Sequence, residues 1–217
     1  DNILIGLNFN AKVDKTVLYG QILLDDLNIS RQKDRDENYQ GGFFQNKFAY
    51  QIGGKTNIRG ISLLMEYNQV QPYTYAHKEP MQTYTHLNQA LAHPLGANFK
   101  ELVLITEYHH NKWNCQFKYT SARVGLDSLE THYGQNIFVS DFEAEGAGQQ
   151  YSYGNFNGQG VNTSINTLQG ELAYSLKGID IFALINYRTK KSDLLDQTYV
   201  WYSIGLRNFP FSAFTDY

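Results

Sequence analysis

Residues 71–99, QPYTYAHKEPMQTYTHLNQALAHPLGANF, place three histidines, His77, His86 and His93, among the phenols of Tyr73, Tyr75 and Tyr84. Imidazoles can ligate metals, shuttle protons or stack on sugars, and spacing separates these uses. The histidines lie nine and seven residues apart, which matches no standard metal-ligand interval. There is no HExxH pair, and the single Cys115 excludes a cysteine-rich zinc site and an internal disulfide framework. Metal and cofactor are both read as none. A second segment, residues 140–160, carries Asp141, Glu143 and Glu145 in alternation without the EF-hand pattern, which reads as a solvated acidic loop. Behind it come Tyr151, Tyr153 and Phe156 with Asn155, Asn157 and Gln159. Aromatic faces stack on sugar rings and amides both donate to and accept from hydroxyls, so this run reads equally as a glycan surface or as a Gly-rich surface loop. No catalytic constellation stands out. Glu101 and Glu107 fall on one face of one extended segment, about 20 Å apart at roughly 3.4 Å per residue, too far for a glycosidase pair. The chain reads as a non-enzyme, with no catalytic residues.

The elements that must position these residues are strands. Apolar residues recur at period two almost throughout. The segments are 2–13, 16–27, 44–53, 57–69, 99–110, 113–125, 165–177, 179–189 and 198–207, about nine strands of roughly ten residues, the length a tilted strand needs to cross a bilayer. One face of each is free of charge through its middle. The other carries Lys12, Asp25, Lys47, Glu66, Glu101, Glu107, Lys118, Glu171 and Arg188. Tyr67, Tyr108, Trp113, Tyr187 and Tyr202 sit near strand ends on the uncharged face, as in an interfacial girdle.

Connections are expected to alternate between short turns (14–15, 53–56, 110–112, 177–178) and long loops (28–42, 70–98, 126–164, 190–197). Membrane barrels have this two-sided rhythm and soluble sandwiches have no reason for it. The expected fold is all-β: an antiparallel transmembrane β-barrel occupying residues 1–217, with long surface loops at 28–42, 70–98 and 126–164. An odd strand count beginning on the outer side implies the C-terminal portion of a larger outer-membrane barrel. The pattern is already established at Ile3, so any leader is expected to have been removed or to lie upstream. A net charge of −3 gives no basic footprint for nucleic acid, and no run of eighteen apolar residues offers a transmembrane helix.

Four segments, LYGQILLDDL (18–27), NKFAYQIGGK (46–55), EYNQVQPYTYAHKEP (66–80) and LNQALAHPLGANFKEL (87–102), are similar to the Wzi-like capsule-assembly family of outer-membrane proteins, in its RemB-type gliding-motility branch. AHPLGAN is the most specific piece. The resemblance implies an outer-membrane barrel larger than this chain, in a Gram-negative bacterium, that supports capsular polysaccharide attachment or surface adhesion and gliding. Implied partners are outer-membrane lipid, surface polysaccharide and other outer-membrane or motility proteins. An outer-membrane pore, or a structural subunit of a secretion or motility complex, is the alternative. Residues 71–99 are read as a shape-holding loop that narrows the lumen. Tyr73, Tyr75, His77, Tyr84, His86 and His93, with Tyr151, Tyr153 and Phe156, are the candidate glycan-contacting or pore-constricting residues.

Overall fold

The computed structural model describes residues 3–27, 41–128, 131–142 and 153–208. Nine long strands form one antiparallel sheet in simple meander order: β1 (Ile5–Val13), β2 (Thr16–Asp26), β3 (Lys47–Ile58), β4 (Ile61–Val70), β7 (Phe99–His110), β8 (Trp113–Leu126), β9 (Val161–Leu176), β10 (Ile179–Ser192) and β11 (Leu195–Arg207). Between β4 and β7 a two-stranded hairpin, β5 (Thr85–His86) and β6 (Gln89–Ala90), forms a separate small sheet. The nine-strand expectation holds. The sheet is open: β1 and β11 each have one hydrogen-bonded neighbour.

Two expected connections are corrected. Residues 53–56 lie inside β3, and the chain reverses instead at Arg59-Gly60, both at positive φ. The Gly53-Gly54 pair is there for packing. A Cβ on Gly53 would stand 2.5 Å from the Tyr19 ring of the neighbouring strand, so glycine makes room for that ring. Residues 190–197 are not a long loop either. β10 and β11 continue pairing to Ser192↔Leu195 around Asp193-Leu194, because alternation persists through Lys190, Lys191 and Asp196 despite their charge. One end of the sheet therefore has only two-residue turns. The other has this tight hairpin and three long connections.

Register carries the face alternation across all nine strands. One continuous row runs Leu63–Thr106–Phe117–Gly170–Ile185–Tyr202, and the rows beside it on the same face are equally uncharged. Charge first appears at the loop end, in the row Gln69–Lys100–Arg123–Ser164–Lys191–Asp196. At the opposite end stand His110, Trp113 and Tyr174, with the Trp113 and Tyr174 rings 4.8 Å apart and Lys112 over the Tyr174 ring. From Arg123 to Trp113 is ten residues, roughly 34 Å of strand, which at a tilt of about 45° is close to the ~25 Å apolar band of a membrane barrel.

The burial is inverted relative to a soluble sheet. The apolar face is bare, with Leu7 67%, Met65 58%, Ile185 56% and Ile204 81% exposed, whereas the polar face supplies buried Lys47, Asn68, Lys118, Gln169, Asp180 and Asn186. Nine strands at about 4.8 Å spacing and ~25 Å of band make an apolar patch on the order of 1,000 Å². The largest patch on a typical soluble monomer is about 300–600 Å². The apolar core lies on the polar side, at the loop end. There Ala49, Val70, Phe99, Ala122 and Val124 from the strands meet Tyr75, Ala97 and Ile137 from the loops.

Candidate functional site

The described parts of the long connections fold over the polar face and are held in place by three kinds of contact. The first is a buried ion pair. Lys47, at the start of β3, sends its ammonium to Asp141 Oδ2 at 2.6 Å and to the Ala76 carbonyl at 2.5 Å, with side chains 1% and 2% exposed. Asp141 is thus no part of a solvated acidic loop; burial with Lys47 turns it into an anchor, while Glu143 and Glu145 lie outside the described residues. Next to it Asp25, at the end of β2, accepts the Tyr75 backbone N–H at 2.7 Å and lies 3.2 Å from His77 Nε2.

The second is an amide hub. Asn98, fully buried and at φ 56°, donates from Nδ2 to the carbonyls of Gly125, Tyr133 and Gln159 and accepts the Gly158 N–H. Asparagine tolerates the left-handed region and carries donor and acceptor on one short arm, so it suits a crossing of three chain segments. Asn98 ends the AHPLGAN segment, whose Gly96 and Ala97 lie against Gln135. Asn98→Ala is expected to cost about 3 kcal/mol or more, since it strands several buried backbone groups at about 1–3 kcal/mol each. Limited proteolysis at the loop end checks this: cleavage near 127–142 and 153–160 should accelerate while the sheet still melts as in wild type.

The third is the carboxylate of Asp127, which accepts the Tyr133 and Asn136 N–H groups and lies 3.0 Å from His132 Nδ1. Burial pushes its pKa up, but the hydrogen bond and charge of His132 and the two amides outweigh it, leaving Asp127 below the usual carboxylate value.

These contacts sort the residues singled out from sequence. Tyr73 is 1% exposed, with its hydroxyl on the His132 carbonyl at 3.0 Å and its ring edge-on to His132 and Phe44. Tyr75 is also buried; burial first, then the nearby Asp25 and Tyr84, raises its phenol pKa. Tyr73 is packed on all sides, whereas Tyr75, though buried from solvent, borders a cavity of about 260 Å³ together with Tyr84 and His93. His77 is held against Asp25. Tyr84, half-exposed, has its ring centroid 5.9 Å from that of Tyr75. His86 lies exposed beside the hairpin tip Leu87-Asn88. His93 lies over Phe99, ring centroids 4.4 Å apart, with Nε2 3.1 Å from Glu101 on the polar face. Tyr153 packs on Phe43, Phe156 is 62% exposed, and Tyr151 lies outside the described residues. The amides read as sugar binders are engaged internally: Asn157 with Val70, Phe99 and Gln69, Asn155 with Gly42, and Gln159 with Tyr133 and Asn155.

Beneath residues 92–95 the polar face leaves a cleft of about 430 Å³. Its floor is two neighbouring register rows, Asn68–Glu101–Ala122–Ile165 and Glu66–Val103–Thr120–Thr167–Arg188. Asn68 Nδ2 bridges Glu66 at 2.9 Å and Glu101 at 3.2 Å, and the Tyr19 hydroxyl donates to Glu66 at 2.7 Å. Toward the turn end, a second cleft of about 500 Å³ is lined by Glu107, Gln116, Glu171, Asp180 and Arg207, with Arg207 paired to Glu171 at 2.7 Å. The sequence reading missed Asn98, Lys47 and this cleft. Alternation is a property of single strands, whereas Asn98 and Lys47 act through docked loops and the cleft arises from cross-strand register. Among the described residues no group of three or more His, Cys, Asp or Glu is arranged to hold a metal ion.

No protein-family model matches the chain, and no curated protein matches its sequence.

Proposed function

We propose that this chain is β-barrel wall of an outer membrane, with its uncharged face to lipid, its polar face lining a lumen, and its long loops folded inward as a constriction. The observation that carries this is the inverted burial: an uncovered apolar face across nine strands, opposite a polar face holding buried charges. Lipid accounts for it because strands in hydrocarbon satisfy their backbone by pairing and present apolar side chains outward. The same requirement means the open edges, β1 and β11, pair with further strands in the membrane. At the cell surface the role proposed is that of the Wzi-like family, polysaccharide attachment or adhesion and gliding. Tyr84, His86 and Phe156 are its exposed contacts. A pore is the second reading, favoured by the polar clefts.

Topology provides the test. In the full-length protein on intact cells, with Cys115 replaced by Ser, single cysteines at Leu87 and Leu194 are expected to react with a membrane-impermeant thiol reagent. Cysteines at Lys15 and Asn111 are expected to stay unlabelled until the cells are broken. Labelling of the second pair on intact cells would end the assignment of sides.

A further inference from the structure

We infer that the cleft beneath residues 92–95 binds a small zwitterionic solute, the size of an amino acid or dipeptide, by its two charged ends. This rests on the reading of the polar face as a lumen. The row Glu66–Val103–Thr120–Thr167–Arg188 places an acid at one end and a base at the other, with two hydroxyls and an apolar side chain between. All five residues line the same cleft. The acidic end is reinforced by Glu101 in the next row, tied to Glu66 through the Asn68 amide.

Glu66 and Arg188 have no charged partner among the described residues, whereas Glu101 lies 3.1 Å from His93 Nε2. The groups that hold Glu66, Tyr19 and Asn68, are neutral donors, so they orient the carboxylate and leave its charge in place. At the other end, Arg188 is half-buried and makes no ion pair or side-chain hydrogen bond among the described residues. Lys118 lines the cleft one row below, on β8, midway between the strands of Glu66 and Arg188. Like the row, the charges are separated along the sheet rather than along the strands, so a field crosses the passage. A solute with one charge gains from one wall only. A zwitterion gains from both, its ammonium toward Glu66 and Glu101 and its carboxylate in the guanidinium fork of Arg188, which suits a planar anion. Thr120 and Thr167 can donate to or accept from the polar atoms between. A volume of 430 Å³ falls in the range of small-molecule sites.

The test uses full-length protein refolded in detergent and saturation-transfer NMR with three probes: glycylglycine, N-acetylglycine as the anion, and glycinamide as the cation. Glycylglycine is expected to bind at least tenfold more tightly than either singly charged probe. Arg188→Gln should abolish that preference by weakening glycylglycine and N-acetylglycine together, leaving glycinamide unchanged. Glu66→Gln with Glu101→Gln should do the reverse. Equal binding of all three probes, or a glycylglycine affinity insensitive to both sets of variants, would overturn the inference. Insertion into liposomes, measured separately on the same preparations, reports on the barrel reading. Protein that inserts but shows no zwitterion preference refutes the cleft alone.

Discussion

Replacing Lys47 by Met is expected to release the long loops from the polar face at a cost of about 3–5 kcal/mol, the usual effect of removing one member of a buried ion pair. The reason is desolvation. Asp141 is 2% exposed, and without the ammonium its carboxylate has lost its charge partner and cannot reach water while the loops stay docked. The Ala76 carbonyl loses a donor at the same time. Undocking relieves both, so the loss falls on the loops: backbone amides of 73–76 and 137–141 should exchange with solvent much faster than in wild type. The strand amides should keep their protection, because their ladder bonds are independent of the pair. The double variant Lys47→Met with Asp141→Leu removes both charges and should recover most of the loss, since an apolar pair of similar volume is often as stable as a buried ion pair. Hydrogen exchange read segment by segment decides it. A single variant as protected as the double would mean that Asp141 is hydrated and the pair is not an anchor.

Arginine at Leu63 or Ile185 is expected to cost about 2–4 kcal/mol in folding into liposomes, the penalty for a cation near the midplane of a barrel's lipid face. The two positions lie in one register row on the uncharged face, between the Lys100–Arg123 row and the His110–Trp113 pair. Arginine at Ser62 or Gln116 should cost much less. Those side chains belong to the polar face beside Glu107, where a new cation meets a carboxylate and water. Equal penalties for the two sets would contradict the assignment of faces. In detergent-free buffer the apolar-face variants should instead improve solubility, because they interrupt the exposed apolar patch.

The sequence by itself determined the strands and which face of each is apolar. Side chains alternate with a period of two as a matter of backbone geometry, so Ile61, Leu63, Met65 and Tyr67 share a face whatever the neighbours are. It also revealed the side on which the chain makes its long excursions, because the alternation is lost in residues 70–98 and 126–164, although β9 in the fold starts earlier, at Val161. Turn placement was less legible. Gly53-Gly54 reads as a reversal locally, yet it serves as a seat for the Tyr19 ring, which only the β2–β3 register brings there. In 190–197 the charges suggested a loop, but pairing partners on β9 and β11 carry the strands through it.

Only the tertiary structure decided what the odd residues do. Tyr73, Tyr75 and His77 are polar aromatic side chains in a loop whose composition reads as shape-holding, with a glycan contact as a further use of the same side chains. In the fold the Tyr73 hydroxyl donates to the His132 carbonyl, and the Tyr75 N–H and the His77 ring lie against Asp25. Asn98 and Asp141 become anchors through partners 27 to 94 residues away. Glu66 and Arg188 share a cleft because five strands pair in register. Alternation is a local property and survives in the one-dimensional chain. Register, loop docking and the pairing of distant charges are sums over neighbours that no single segment contains.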